Sequence, residues 1–164
     1  GQLKLIAINL ICVGKLKEPY YRDASAEYEK RLSAFCRLKT TEIAPAPLPE
    51  NPSAAQIEAA LDREGKLIAA KIPPNAKVYA LCVEGRQFSS EEFGASLEKA
   101  AAAGEGTPVF IIGGSHGLSE EIKAGASVRL SMSAMTFPHR LARVMLLEQL
   151  YRGFMINSGG KYHK

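Results

Sequence analysis

Short apolar, β-branched runs alternate along this chain with longer segments in which apolar residues recur every third or fourth position. INLICVGK (8–15) reads as a buried strand, its apolar run broken only by Asn9 before Gly14 and Lys15 close it. EPYYRDASAEYEKRLSAF (18–35) predicts a helix with Pro19 in its first turn and Tyr20, Ala24, Tyr28, Leu32 and Phe35 as its apolar positions. RLKTTEIA alternates as a second strand, and PAPLPENP (45–52), which continues neither strand nor helix, predicts a mobile loop. A helix then starts at Ser53 or a neighbour and runs through Lys71; KVYALCV is a buried strand; SSEEFGASLEKAAAAG is a capped helix closed by Gly104. PVFIIGG predicts a strand running into glycine, LSEEIKAG a short helix, SVRLSM a last strand, and residues 138–156 a final helix.

Five strands separated by helices require crossover connections, so the expected fold class is α/β, a mostly parallel sheet covered by helices on both faces. Ligands of such sheets bind outside the carboxyl ends of the strands. Three loops follow from that rule: EGRQF after Val83, GGSHGLSEE after Ile112 and MSAMTFP after Ser131.

A chain of 164 residues fits one compact domain. Its apolar runs fall short of the roughly 20 residues that span a bilayer, and no signal-peptide pattern opens it, so a cytoplasmic protein away from membranes is expected. Cys12, Cys36 and Cys82 are odd in number and embedded in apolar surroundings, which suits reduced thiols. His116, His139 and His163 lack metal-ligand spacing, and no metal is expected.

FIIGGSHGLSEE places Gly113 and Gly114 directly after a strand and Gly117 ahead of a helix. Such glycines either serve only a tight strand-to-helix turn or let backbone amides and carbonyls approach a ligand. The lysine of a phosphate-binding GxxxxGK[ST] loop is absent, and two glutamates at the helix start would repel a pyrophosphate. SMSAMTFP likewise reads as a Met-containing core connector or as a ligand loop. If these two loops converge with the end of the third strand, Leu81, Met132, Met135 and Phe137 wall a slot suited to a planar adenine.

The formal net charge is +4, and all of it resides after residue 137, where Arg140, Arg143, Arg152, Lys161 and Lys164 face only Glu148. Either these cations complement a helix C-terminus or they form a phosphate-binding face. Arg143 and Arg152 are the candidates for RNA contact or helix packing, and their separation of nine residues sets them on opposite sides of a helix.

VGKLKEPYY, FIIGGSHGLSEEI, LSMSAMTFPHRLARVMLLEQLYRGFMI and the terminal KYHK, in that order, resemble the bacterial SPOUT-class methyltransferases that methylate N3 of a pseudouridine in 23S ribosomal RNA, at a position of the 1915 type. The resemblance covers residues 8–164 as a single domain and leaves residues 1–7 as an N-terminal extension or cloning remnant. It implies a C-terminal trefoil knot, S-adenosylmethionine as cofactor, a homodimer with active sites near the subunit interface, and 23S rRNA within the ribosome as substrate. Carried onto matching positions, cofactor contacts fall on Leu81, Gly113, Met132, Ser133, Ala134, Met135, Thr136 and Phe137, with Ala134 standing where some relatives carry lysine. The tail supplies the catalytic candidates: His163 as proton acceptor and Tyr162 as a partner for the target base, returned to the pocket by a joint at residues 157–160. A noncatalytic ribosome-binding module and a SPOUT enzyme acting on transfer RNA are the competing functions.

Overall fold

The computed structural model describes residues 5–159. Tyr162 and His163 lie outside the described residues. The elements run β1 (Ile6–Val13), α1 (Pro19–Leu32), β2 (Cys36–Ile43), α2 (Ala54–Ala69), β3 (Ala76–Gln87), α3 (Ser90–Ala102), β4 (Thr107–Ile112), α4 (Glu120–Gly125), β5 (Val128–Ser131) and α5 (His139–Asn157). All four strand pairings are parallel, in the order β2-β1-β4-β3-β5. β1 begins at Ile6, so Ile6 and Ala7 already pair with Cys36 and Arg37.

Period-two alternation divides the core between the two faces of the sheet. Ile8, Leu10, Cys12, Tyr79 and Phe110 meet Leu32 of α1, Phe93 and Leu97 of α3, and Leu146, Leu147 and Leu150 of α5. Ile11, Val13, Val78, Ala80 and Ile111 meet Ile68 of α2 and Ile122 of α4 on the other. Local chemistry starts the helices. Ser53 and Ser89 each close a reciprocal capping box, with Gln56 and Glu92, and the Ser119 hydroxyl accepts the Ile122 amide.

Three details depart from the sequence pattern. On α1, Leu32 and Ser25 are buried while Tyr20 is 65% exposed, so the expected apolar stripe does not begin at Tyr20. β3 does not stop at Val83 but resumes at Arg86 and ends at Gln87. The proline-rich segment 45–52 is tied down, because the Ala46 amide donates to buried Glu64 Oε2 at 2.8 Å.

α3 and α5 cross through glycines. A Cβ on Gly153 would stand 3.3 Å from Gly94 Cα, and Asn157 Nδ2 donates to the Gly94 carbonyl at 2.9 Å. Asn157 therefore belongs to α5 and its packing, and is no part of a joint. Gly153→Val forces the two helices apart and is expected to cost about 1–3 kcal/mol of stability, as overpacking does; urea unfolding against wild type measures the loss.

Candidate active site

The strand order fixes where a ligand can enter. The crossover leaving β1 leads to β2 on one side, and the crossover leaving β4 leads to β5 on the other. β1 and β4 are neighbours, so their connections part and open a crevice above Val13 and Ile112.

The turn after β4 is built from backbone in close contact. A Cβ on Gly113 would lie 2.2 Å from the Gly117 carbonyl oxygen, the Gly117 amide donates to the Gly114 carbonyl at 3.0 Å, and Gly117 holds φ +83°. Only glycine satisfies the first and the last of these requirements without strain. β3 contributes by bulging: both Leu81 and Arg86 register with Leu130, so residues 82–85 swing out of the ladder. Gly85 permits this, since a Cβ there would sit 2.6 Å from the Arg129 carbonyl oxygen. Lys123 on α4 anchors the bulge through Glu84, at 2.7 Å. That contact holds the Glu84 carboxyl below its ordinary range and raises the Lys123 ammonium. In the loop before α5, the Ser131 hydroxyl donates to the Ser133 carbonyl and the Met135 amide donates to Ser133 Oγ, each at 3.0 Å.

These three segments enclose a cavity of about 660 Å³. Leu81, Gly113, Met132, Ser133, Met135, Thr136 and Phe137 all line it. Ala134 shares the loop but is exposed and outside the lining. Met135 is 73% exposed, at the rim. Cys82, Val83 and Glu84 of the bulge also line the cavity, as do His116 and His139. Glu84 belongs to the EGRQF segment that the sequence already placed at the ligand end, whereas Cys82 and Val83 were not singled out, because an irregular strand has the composition of a regular one.

Burial holds the His139 imidazole below its ordinary pKa, Arg140 acts in the same direction, and Glu18 opposes both. His139 is therefore neutral at pH 7. Its ring protons, followed by NMR from pH 4 to 8, are expected to titrate with a midpoint below 6.5, the value of an unperturbed histidine. Burial pushes the thiols up instead, Cys12 to about 12 and Cys36 to about 11, which leaves both inert. Among the described residues no group of His, Cys, Asp and Glu is disposed to hold a metal ion.

The arginines of α5 turn inward. Arg143 is buried, its guanidinium side chain only 10% exposed and 2.9 Å from Glu42. Arg152 makes two contacts of 3.1 Å with Glu148, and Arg140 lies 3.0 Å from Glu18. Among the described residues, the three arginines of α5 are thus paired with Glu18, Glu42 and Glu148, while Lys161 and Lys164 lie outside them. Arg143 and Arg152, the candidates for RNA contact or helix packing, engage carboxylates of their own chain.

Residues 6–163 match the family model described as Predicted SPOUT methyltransferase. The chain belongs to the SPOUT methyltransferase family. It is 49% identical over 157 residues to the ribosomal RNA large subunit methyltransferase H of Leuconostoc mesenteroides, spanning 96% of this chain and 99% of that one. It is 45% identical, with the same coverage, to the protein of that name from Clostridioides difficile. Among solved structures, a probable methyltransferase from Bordetella pertussis Tohama I superposes with TM-score 0.53 at 17% identity, over 89% of this chain and 95% of that one. At that identity the likeness concerns the fold, and it agrees with the parallel α/β architecture of this SPOUT protein.

Proposed function

We propose that this SPOUT protein transfers a methyl group from S-adenosylmethionine to N3 of a pseudouridine in 23S ribosomal RNA, in the cytoplasm and on assembled ribosomes. The observation that carries this reading is the convergence of Leu81, Gly113, Met132, Ser133, Met135, Thr136 and Phe137 on one cavity. Its support on the substrate side is the name borne by relatives 43–49% identical over nearly the whole chain. The cavity fits the cofactor. Its volume lies in the range of small-molecule sites, roughly 300–1,000 Å³, and its walls combine apolar side chains with exposed glycine backbone. A noncatalytic binding module has no use for such a cavity.

Leu81, Met132 and Phe137 would flank the adenine, and the backbone of residues 113–117 and 132–137 would meet the polar edges of the adenosine and amino-acid parts. S-adenosylmethionine supplies an electrophilic methyl carbon on a sulfonium. The protein's task is alignment of N3 behind that carbon, where positioning carries much of the rate. N3 of pseudouridine bears a proton at neutral pH, and an imidazole accepts it. His163 is the proposed acceptor, with Tyr162 against the base; a trefoil knot would hold the loops, and each site of a homodimer would receive the tail of one of its two protomers.

Methyl transfer from labelled cofactor to free rRNA, isolated large subunits and whole ribosomes, followed by mapping of the modified base, tests this function. Label at N3 of one pseudouridine, strongest on ribosomes, is expected. Label confined to transfer RNA, or none, overturns it.

A further inference from the structure

A second cavity adjoins the first, with a volume of about 490 Å³. The two share Gly114, Ser115, His116 and His139. They lie on opposite sides of the β1–β4 crevice, the first among loops that follow β3, β4 and β5, the second among those that follow β1 and β2. We propose that this second cavity receives the target nucleotide, with its base beside the methyl donor and its phosphates on Lys15 and Lys17. The proposal rests on the methyltransferase reading above and names the acceptor subsite that reading needs.

Three features favour a nucleotide there. The walls are apolar and of a size for one base: Pro45 and Leu48 from the proline-rich segment, Ile57 and Leu61 from α2. That segment is fixed as a wall by the bond from the Ala46 amide to Glu64. Of the carboxylates in the lining, Glu42 is ion-paired with Arg143, and Glu64 is buried and accepts the Ala46 amide. Lys15 and Lys17 are exposed, line the same cavity and, among the described residues, close no ion pair, unlike the α5 arginines. Cations without a carboxylate partner are the ones available to phosphate.

His139 and His116 stand on the shared wall. His139 also approaches the β1–α1 turn, since a Cβ on Gly14 would lie 3.8 Å from its Cε1 and 3.8 Å from Pro45 Cγ. The turn at Gly14, the proline wall and the histidine therefore form one continuous surface between the two cavities. Transfer then requires the base to pass His116 and His139, the side chains common to both linings, so that nothing stands between N3 and the methyl carbon.

Two variants test the assignment on the full chain. Lys15→Ala/Lys17→Ala is expected to retain wild-type S-adenosylmethionine affinity by calorimetry, because neither lysine lines the first cavity. Its KM for ribosomes is expected to rise about tenfold with little change in kcat, and its salt dependence to flatten by a slope of about 2, about one for each phosphate no longer neutralised. Leu61→Trp fills the pocket and is expected to lower kcat/KM about 100-fold with cofactor affinity intact. Wild-type KM and salt slope in the first variant, or wild-type turnover in the second, overturn the proposal. A binding measurement separates it from the methyltransferase reading: uridine 5′-monophosphate added to cofactor-saturated protein should shift the amide signals of Lys15, Ile57 and His116. Shifts there with no ribosome methylation would sink the function and keep the nucleotide site; shifts only elsewhere, or none at millimolar nucleotide, would sink the site.

Discussion

Gly113→Ala is expected to abolish S-adenosylmethionine binding, weakening it about 100-fold or more, in a protein that still folds. A valine at this position would, from sequence alone, be expected to act by filling space that the ligand needs. The structure gives a different and more severe cause. The first carbon of any side chain would meet the Gly117 carbonyl oxygen at 2.2 Å and its carbon at 2.5 Å. Those are backbone atoms, which cannot rotate away as a side chain does, so the 113–117 turn must open. Gly114, Ser115 and His116 then shift together, and they form the wall common to both cavities. Bound polar groups left unpaired by a displaced wall cost about 1–3 kcal/mol each, so one or two are enough for a 100-fold effect on affinity. Ile112 and Leu118, which flank the turn, remain packed in the two cores. Calorimetry should therefore show no heat of cofactor binding while circular dichroism shows native helix content. Wild-type affinity in a folded Gly113→Ala protein would refute the assignment of this turn to the cofactor.

Removal of residues 161–164 is expected to have the opposite signature, full cofactor affinity with almost no turnover. The described lining of the first cavity comes from the β3 bulge, the loops after β4 and β5 and the start of α5, the segments to which the cofactor is assigned. Loss of a positioned proton acceptor typically lowers a rate by about 10²–10⁴. The truncation should fall in that range or below it, and further than His163→Ala alone if Tyr162 also positions the base, because the two would then act on the same bound nucleotide. Thermal stability, calorimetric affinity and ribosome methylation for both variants measure this. Methylation at the wild-type rate by the truncated enzyme would remove His163 and Tyr162 from the site. His139, neutral and on the wall between the cavities, would then be the histidine to substitute next.

Much of the fold was legible because its determinants are local. A run such as IAINLICV is buried on both sides of a sheet whatever its neighbours, and SxxQ or SxxE starts a helix through atoms within four residues. The cavity proposed for the cofactor was legible for a related reason. In a parallel sheet, loops at the carboxyl ends of strands converge, so Leu81, Gly113 and residues 132–137 could be grouped before any distance was known.

What only the tertiary structure decided depends on atoms distant in sequence. The β3 bulge exists because Gly85 passes against the Arg129 carbonyl, 44 residues along the chain from it. The segment at residues 45–52 reads as a mobile loop until Glu64 is brought beneath Ala46. The basic residues of α5 read from sequence either as complements of a helix C-terminus or as a phosphate-binding face, and only packing brings Glu18 and Glu42, from α1's entry and from β2, beside Arg140 and Arg143. Composition counts charges but not their partners, and a partner's identity is set by how the elements pack. Sequence thus determined which elements form and which loops share the ligand end of the sheet; packing determined which cations stay free and where a second cavity opens beside the first.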